Sequence, residues 1–187
     1  MLALLGQLAA CVGPAKAPNS PRTKEASQAS AKSVPLALAC STPAPETCFN
    51  ATDDNCNGLI DEGCGSPLGP IQVVAAWADV EADVELVVID PNLEASEVGH
   101  FVASGLTKDR DCPGEGALCK GINVEHVTLP EGEPLRGTYT VRVSLERLGT
   151  SGSPVKVRLG FHFGPRMYAY GVRLKQVGEA AVFRADL

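Results

Sequence analysis

The chain lacks any run of roughly eighteen or more apolar residues, so no segment reads as a membrane-spanning helix. Its 16 Lys and Arg gather into no patch against 22 Asp and Glu, and the net charge is −6. That balance lacks the basic footprint that nucleic-acid binding requires, and no nucleic-acid partner is expected. Aromatic residues make up only 5% of the 187 residues, so a core must rest on Val, Leu, Ile and Ala. The signatures G-x-S-x-G and H-E-x-x-H and a Gly-rich phosphate loop are all missing. His100, His126 and His162 are scattered and read as surface or internally satisfied side chains. Asp79 with Asp83, and Glu125 with Glu131, read as ordinary acids of a β surface rather than acid–base pairs.

What the chain does have is cysteine, at seven residues. Leu8-Ala9-Ala10-Cys11 follows a short apolar run and resembles the lipobox at which bacterial signal peptidases cut lipoproteins, although no Lys or Arg precedes that run. The resemblance implies a signal peptide over 1–10 and acyl chains on Cys11. The expected location is then the bacterial cell envelope, with a lipid anchor to the outer membrane, periplasm or cell surface. The remaining six are Cys40, Cys48, Cys56, Cys64, Cys112 and Cys119, an even set that reads as disulfides in an exported chain. Their spacing does not suit zinc knuckles. Cys112 and Cys119 enclose Pro113, Gly114 and Gly116 and predict a local staple; the other four leave three pairings open.

Residues 11–39 are rich in Ala, Pro, Ser and Lys and show no apolar periodicity, which predicts a disordered tether behind the anchor. Residues 40–65 form a cysteine-clamped segment with cysteines every eight residues. Phe49, Leu59 and Ile60 are almost its whole apolar supply, so it needs disulfides, a metal, or both.

Within that segment oxygen-bearing side chains alternate before a glycine. With Asp53 at position 1 of a calcium loop, Asn55 falls at 3, Asn57 at 5, Gly58 at the turn, the Leu59 carbonyl at 7 and Asp61 at 9. Alternation matters because a tight loop turns every second side chain inward. Position 12 is Cys64 rather than a bidentate Glu, so Glu62 or Asp54 must substitute. With few carboxylates the expected Ca²⁺ affinity is weak, on the order of 10⁻⁴–10⁻³ M. Pro45 to Cys64, PETCFNATDDNCNGLIDEGC, resembles the metal-binding motif of bacterial surface proteins, written PE-x-C-(D/N)-G-x-D-(N/D)-D-C-(D/N)-G-x-x-D-E, whose family includes a surface copper-binding protein. Glu46, Cys48, Asp53, Cys56, Asn57, Gly58, Asp61 and Glu62 fit it, while Ala51 replaces a glycine. The loop contains no His, and copper is therefore not carried over.

Residues 69–187 alternate apolar and polar side chains in short runs. The expected strands are Ile71 to Ala78, Val84 to Ile89, Ile122 to Leu129, Thr138 to Glu146, Val155 to Phe163, Met167 to Lys175 and Ala180 to Asp186. Gly and Pro punctuate the joints, and Leu93 to Val102 is expected to pair at an edge. The pattern predicts an all-β fold, a jelly-roll-like antiparallel sandwich. The stretches AWADVEADVELVVIDPN and GTYTVRVSLERLG resemble YfaP-like secreted proteins and pre-peptidase C-terminal sandwiches. That resemblance implies a binding or accessory module with a glycan or another envelope protein as partner, and no catalysis. The alternatives are a secreted hydrolase built on the sandwich and a protein that captures metal for its own sake. Asp79, Asp83 and Asp90 are a candidate second cation site at a strand end.

Overall fold

The computed structural model describes residues 30–38, 40–42, 44–113, 119 and 121–187. The expected signal peptide and lipidated Cys11 lie outside the described residues, as does most of the expected tether. Among the described residues there is no helix. Nine strands form two antiparallel sheets: β1 (Lys32–Pro35), β2 (Ile71–Trp77), β3 (Asp83–Ile89), β4 (Thr107–Arg110), β5 (Val124–Leu129), β6 (Thr138–Arg147), β7 (Val155–Phe163), β8 (Arg166–Leu174) and β9 (Ala180–Asp186). The larger sheet runs β1-β8-β7-β2-β5-β4 and the smaller β3-β6-β9. The seven strands expected from alternation are all present, with ends that differ by a residue or two.

Alternation is the cause of the layering. Val84, Leu86 and Val88 of β3 and Tyr139, Val141, Val143 and Leu145 of β6 are buried toward the larger sheet. Ile71, Val73, Ala75 and Trp77 of β2, with Val157, Leu159, Phe161 and Phe163 of β7, answer them from the other side. The few aromatics are concentrated rather than spread. Phe161 stands at the centre, with ring centroids 5.7 Å from Phe163, 4.9 Å from Tyr168, 5.7 Å from Tyr170 and 6.1 Å from Phe183. Each such pair adds about 0.5–1.5 kcal/mol beyond the area it buries.

Two strands were not foreseen. β1 lies within the expected tether. It forms one edge of the larger sheet and pairs with β8, from Lys32 opposite Arg173 to Pro35 opposite Tyr170. Its side chains are all exposed, so main-chain hydrogen bonds hold it and no apolar signal marks it. β4, TKDR, is four residues long and charged, and pairs with β5 through an irregular register. The 93–102 segment makes an isolated bridge, Ala95 to Ile89, and no strand.

The clamped segment 40–65 does not stand apart. β2 is buried along its whole length because both faces are covered. Gln72, Val74 and Ala76 face away from the sandwich core, and Ala51 and Ile60 of the loop pack with Val74, Ala76 and Val124 there. Gln72 clamps the peptide groups of Ile60: its Oε1 accepts the Ile60 N–H at 3.3 Å and its Nε2 donates to the Ile60 carbonyl at 3.4 Å. Gly160 of β7 leaves room for the loop backbone; a Cβ there would stand 2.4 Å from the Ala51 carbonyl oxygen and 3.3 Å from Ile60 Cδ1.

Gly160→Val is expected to lift the loop from the sheet and cost about 1–3 kcal/mol of stability, as overpacking does. Urea denaturation measures the loss, and hydrogen exchange should show it concentrated in residues 49–61.

Candidate functional site

The loop is tied by Cys40–Cys56 and Cys48–Cys64, two interleaved bridges that each span a sequence separation of 16. Cys112–Cys119 is the expected local staple. Each of the longer bridges closes a loop for which chain entropy predicts about 3 kcal/mol of stabilisation.

The loop winds through left-handed backbone at Phe49 (φ 65°), Ala51 (57°), Cys56 (67°), Gly58 (90°) and Asp61 (54°). Such conformations turn successive N–H groups toward one side, where a carboxylate can collect them. Two aspartates do so in a reciprocal way. Asp53 Oδ1 accepts the Asn57 N–H at 3.2 Å and Oδ2 accepts the Gly58 N–H at 2.9 Å. Asp61 Oδ1 accepts the Asn50 N–H at 3.2 Å, so each half of the loop is capped by the other half's acid. Burial pushes the Asp61 carboxyl above its ordinary value, against the N–H groups of Asn50, Ala51 and Phe49 and against His126.

Of the expected ligands, Asn55 and Asn57 use their oxygens on the loop's own backbone. Asn55 Oδ1 accepts the Asn57 N–H at 2.9 Å, and Asn57 Oδ1 accepts the Leu59 N–H at 2.9 Å. Their Nδ2 groups both donate to Glu62 Oε1. Asp54, the other substitute for position 12, is structural: its Oδ2 accepts from the Thr47 N–H and from Asn50 Nδ2, each at 2.9 Å. Asp53, Asp61 and Glu62 do not bring three carboxylate oxygens within 4.8 Å of one another; among the described residues only Glu85, Asp111 and Glu125 do. The side chains of Asp53, Asn55 and Asn57 therefore shape the loop by accepting its N–H groups.

The unpartnered oxygens lie elsewhere in the same segment. Glu46 Oε2, Asn50 Oδ1, Asp61 Oδ2 and Glu62 Oε2 are buried without a hydrogen-bond partner. Glu46 Oε1 accepts the N–H groups of Asp54 and Asn55 at 3.0 and 3.1 Å, which leaves its other oxygen free. Burial raises the Glu46 pKa, and the like charges of Glu62 and Asp54 raise it further. No Lys or Arg occurs between Lys32 and Lys108, so the segment holds no side-chain cation of its own. Four buried acceptors without a hydrogen-bond partner each cost roughly 1–3 kcal/mol, or more when charged, although the carboxylate oxygens of Glu46, Asp61 and Glu62 do not all lie within 4.8 Å of one another. Glu46 and Asn50 were not among the expected ligands, because the calcium-loop template begins only at Asp53.

The other candidates resolve differently. Asp79 accepts the N–H groups of Glu81 at 3.1 Å and Ser151 at 2.7 Å. Asp83 faces Arg147 at 3.6 Å. Asp90 accepts those of Asn92 at 2.8 Å and Glu94 at 2.9 Å. They serve separate turns and a separate ion pair, and form no second cation site. His126 is buried beneath the loop with Nδ1 against Asp109. His100 is exposed and His162 half-buried.

A second polar cluster sits between the sheets. The Lys108 ammonium contacts Glu85 at 2.6 Å, Asp111 at 3.0 Å and Glu125 at 3.0 Å, and the side chains of Lys108 and Glu125 are each only 1% exposed. The three carboxylates that could have held a metal thus surround a lysine. β3 has no strand on its outer edge, and Glu125 Oε2 accepts the Leu86 N–H there. The Val88 N–H finds Ser96 Oγ at 3.1 Å. Burial raises the Glu125 pKa to about 10, against the pull of Lys108. Burial opposes the charge on Lys108, but Glu125 and Glu85 outweigh it and its pKa lies above the ordinary value. Glu125 reads as a surface acid in isolation. The available signal was its phase, since it alternates with the buried Val127 and Leu129.

No protein-family model, curated protein or solved structure matches the chain.

Asp53→Ala removes two hydrogen bonds to a charged acceptor, and is expected to cost about 1–3 kcal/mol even in chelator. Amide exchange at Asn57 and Gly58 should rise selectively, as measured by NMR or mass spectrometry.

Proposed function

We propose that the chain is an exported envelope lipoprotein, anchored through Cys11, whose clamped loop holds a divalent cation of the calcium class. The four buried and unpartnered oxygens of Glu46, Asn50, Asp61 and Glu62, in a segment without Lys or Arg, carry this reading. Asp53, Asn55 and Asn57 organise the loop around that guest, and the Leu59 carbonyl remains a further candidate ligand. The cation's role is structural: binding only the folded form favours it by mass action. A closed loop of this kind makes one surface of the sandwich rigid. The sandwich acts as a binding or accessory module for a glycan or another envelope protein, without catalysis. Three disulfides agree with an oxidising compartment.

Calcium at roughly ten times its Kd is expected to stabilise the chelator-treated protein by about 1.4 kcal/mol, seen as a rise in Tm of a few degrees. Glu62→Gln and Asp61→Asn should abolish that rise while leaving Tm in chelator equal to or above that of the parent. An unchanged Tm in the parent on adding Ca²⁺ rejects the site. The anchor is tested separately: mass spectrometry of membrane fractions should find Cys11 as an acylated N-terminus, and an unmodified Cys11 in the mature protein rejects it.

A further inference from the structure

The Lys108 cluster holds more acid than an ion pair requires. Three N–H bonds of one ammonium are directed at three carboxyl groups, of Glu85, Asp111 and Glu125. Fully ionised, the cluster would carry an excess of two negative charges, with Glu125 alone wholly buried at 1% exposure, where a charge is most disfavoured. Keeping a proton on Glu125, the most buried of the three, removes half of that excess. The chemical result is unusual: a carboxyl group that burial disposes to keep its proton lies 3.0 Å from a lysine nitrogen, and both side chains are only 1% exposed.

We propose that Lys108 and Glu125 condense into an intramolecular amide that links β4 to β5. The groups around them have matching roles. Glu85 Oε1, 2.6 Å from the nitrogen, is placed to take a proton from the ammonium and expose the amine lone pair. Glu85 has 31% of its side chain reached by solvent and can pass that proton to water. The amine attacks Glu125 Cδ; the charge that develops on Oε2 meets the Leu86 N–H, already directed at that oxygen. The C–O bond to the acid hydroxyl then breaks. The hydroxyl leaves with the second proton from nitrogen as one water molecule. Ammonium and acid thus give an amide, one water and one proton, and no oxidant or nucleotide is consumed.

Burial serves the reaction in both directions. It keeps Glu125 protonated and therefore electrophilic, and it keeps water from reversing the condensation. Asp111 contacts the same nitrogen at 3.0 Å and holds it in place; burial acts to raise its pKa, but hydrogen bonds from Glu125 and Lys108 prevail and lower it. Glu125 is the one carboxyl of the three that solvent does not reach, at 1% exposure against 31% for Glu85 and 42% for Asp111, which directs the bond to Glu125. The product fixes β4, a four-residue charged strand with an irregular register, to the one strand it pairs with.

The test is the mass of the full chain after reduction, alkylation and denaturation. The linked chain is expected to be lighter by about 18 Da, one water, than its sequence requires. Peptide mapping should find Lys108 and Glu125 in one branched peptide, with no tryptic cleavage after Lys108. Lys108→Arg keeps the positive charge and cannot condense, and should restore the full mass. Glu85→Gln should leave the chain unlinked while near-UV circular dichroism shows the sandwich intact. A wild-type chain of full mass, cleaved at Lys108 with Glu125 in a separate peptide, overturns the proposal. A link from Lys108 to Glu85 or Asp111 overturns the assignment of Glu125.

Discussion

Gln72 grips the peptide groups of Ile60, and the placement of the clamped segment 40–65 depends on that contact. The clamped loop has no core of its own. It borrows one from the outer face of the larger sheet, where Ala51 and Ile60 meet Val74, Ala76 and Val124. Gly160 permits the approach by having no side chain. Burying a peptide N–H and C=O requires partners for both, and a carboxamide is the side chain that offers a donor and an acceptor together. The disulfides then tie the rest of the loop to the part that is docked. The loop is thus a third layer on the sandwich.

Charge in the interior is handled in two ways. Between the sheets, three carboxyl groups surround a lysine that the chain itself supplies, and a free strand edge gains a hydrogen-bond acceptor. In the loop, four oxygens are buried with nothing positive from their own segment. The first arrangement has its own cation, with Glu125 Oε1 its one buried oxygen left without a hydrogen-bond partner. The second has no such partner, which is why the loop, and not the cluster that places its oxygens closest together, carries the proposed metal site. Backbone N–H groups converging on Asp53 and Asp61 supply partial positive charge and hold the loop in shape before any guest binds.

The sandwich was legible because period-2 alternation reports which face is buried; β3 follows it throughout, and β6 and β7 break it only where Ser144 and Gly160 are buried as well. β2 and β5 are buried on both faces, and nothing local to IQVVAAW or VEHVTL says what covers the second one. β1 was read as spacer because main-chain pairing alone leaves no mark on side-chain pattern. β4 was invisible for a related reason: Lys108 and Arg110 are buried by partners distant in sequence. The loop's chemistry was partly visible. Asp61 and Glu62 were expected as ligands and do have free buried oxygens, whereas Asn55 and Asn57 spend theirs on the loop backbone.

By itself the sequence determined seven of the nine strands, the even set of six cysteines that pair and the oxygen-rich character of residues 46–62, since these follow from local periodicity and composition. Only the tertiary structure decided that the bridges interleave, that the loop rests on β2 and β7, and that Lys108 meets Glu125. Those outcomes depend on which residues far apart in the chain become neighbours. Spacing along a chain does not encode proximity across a sheet.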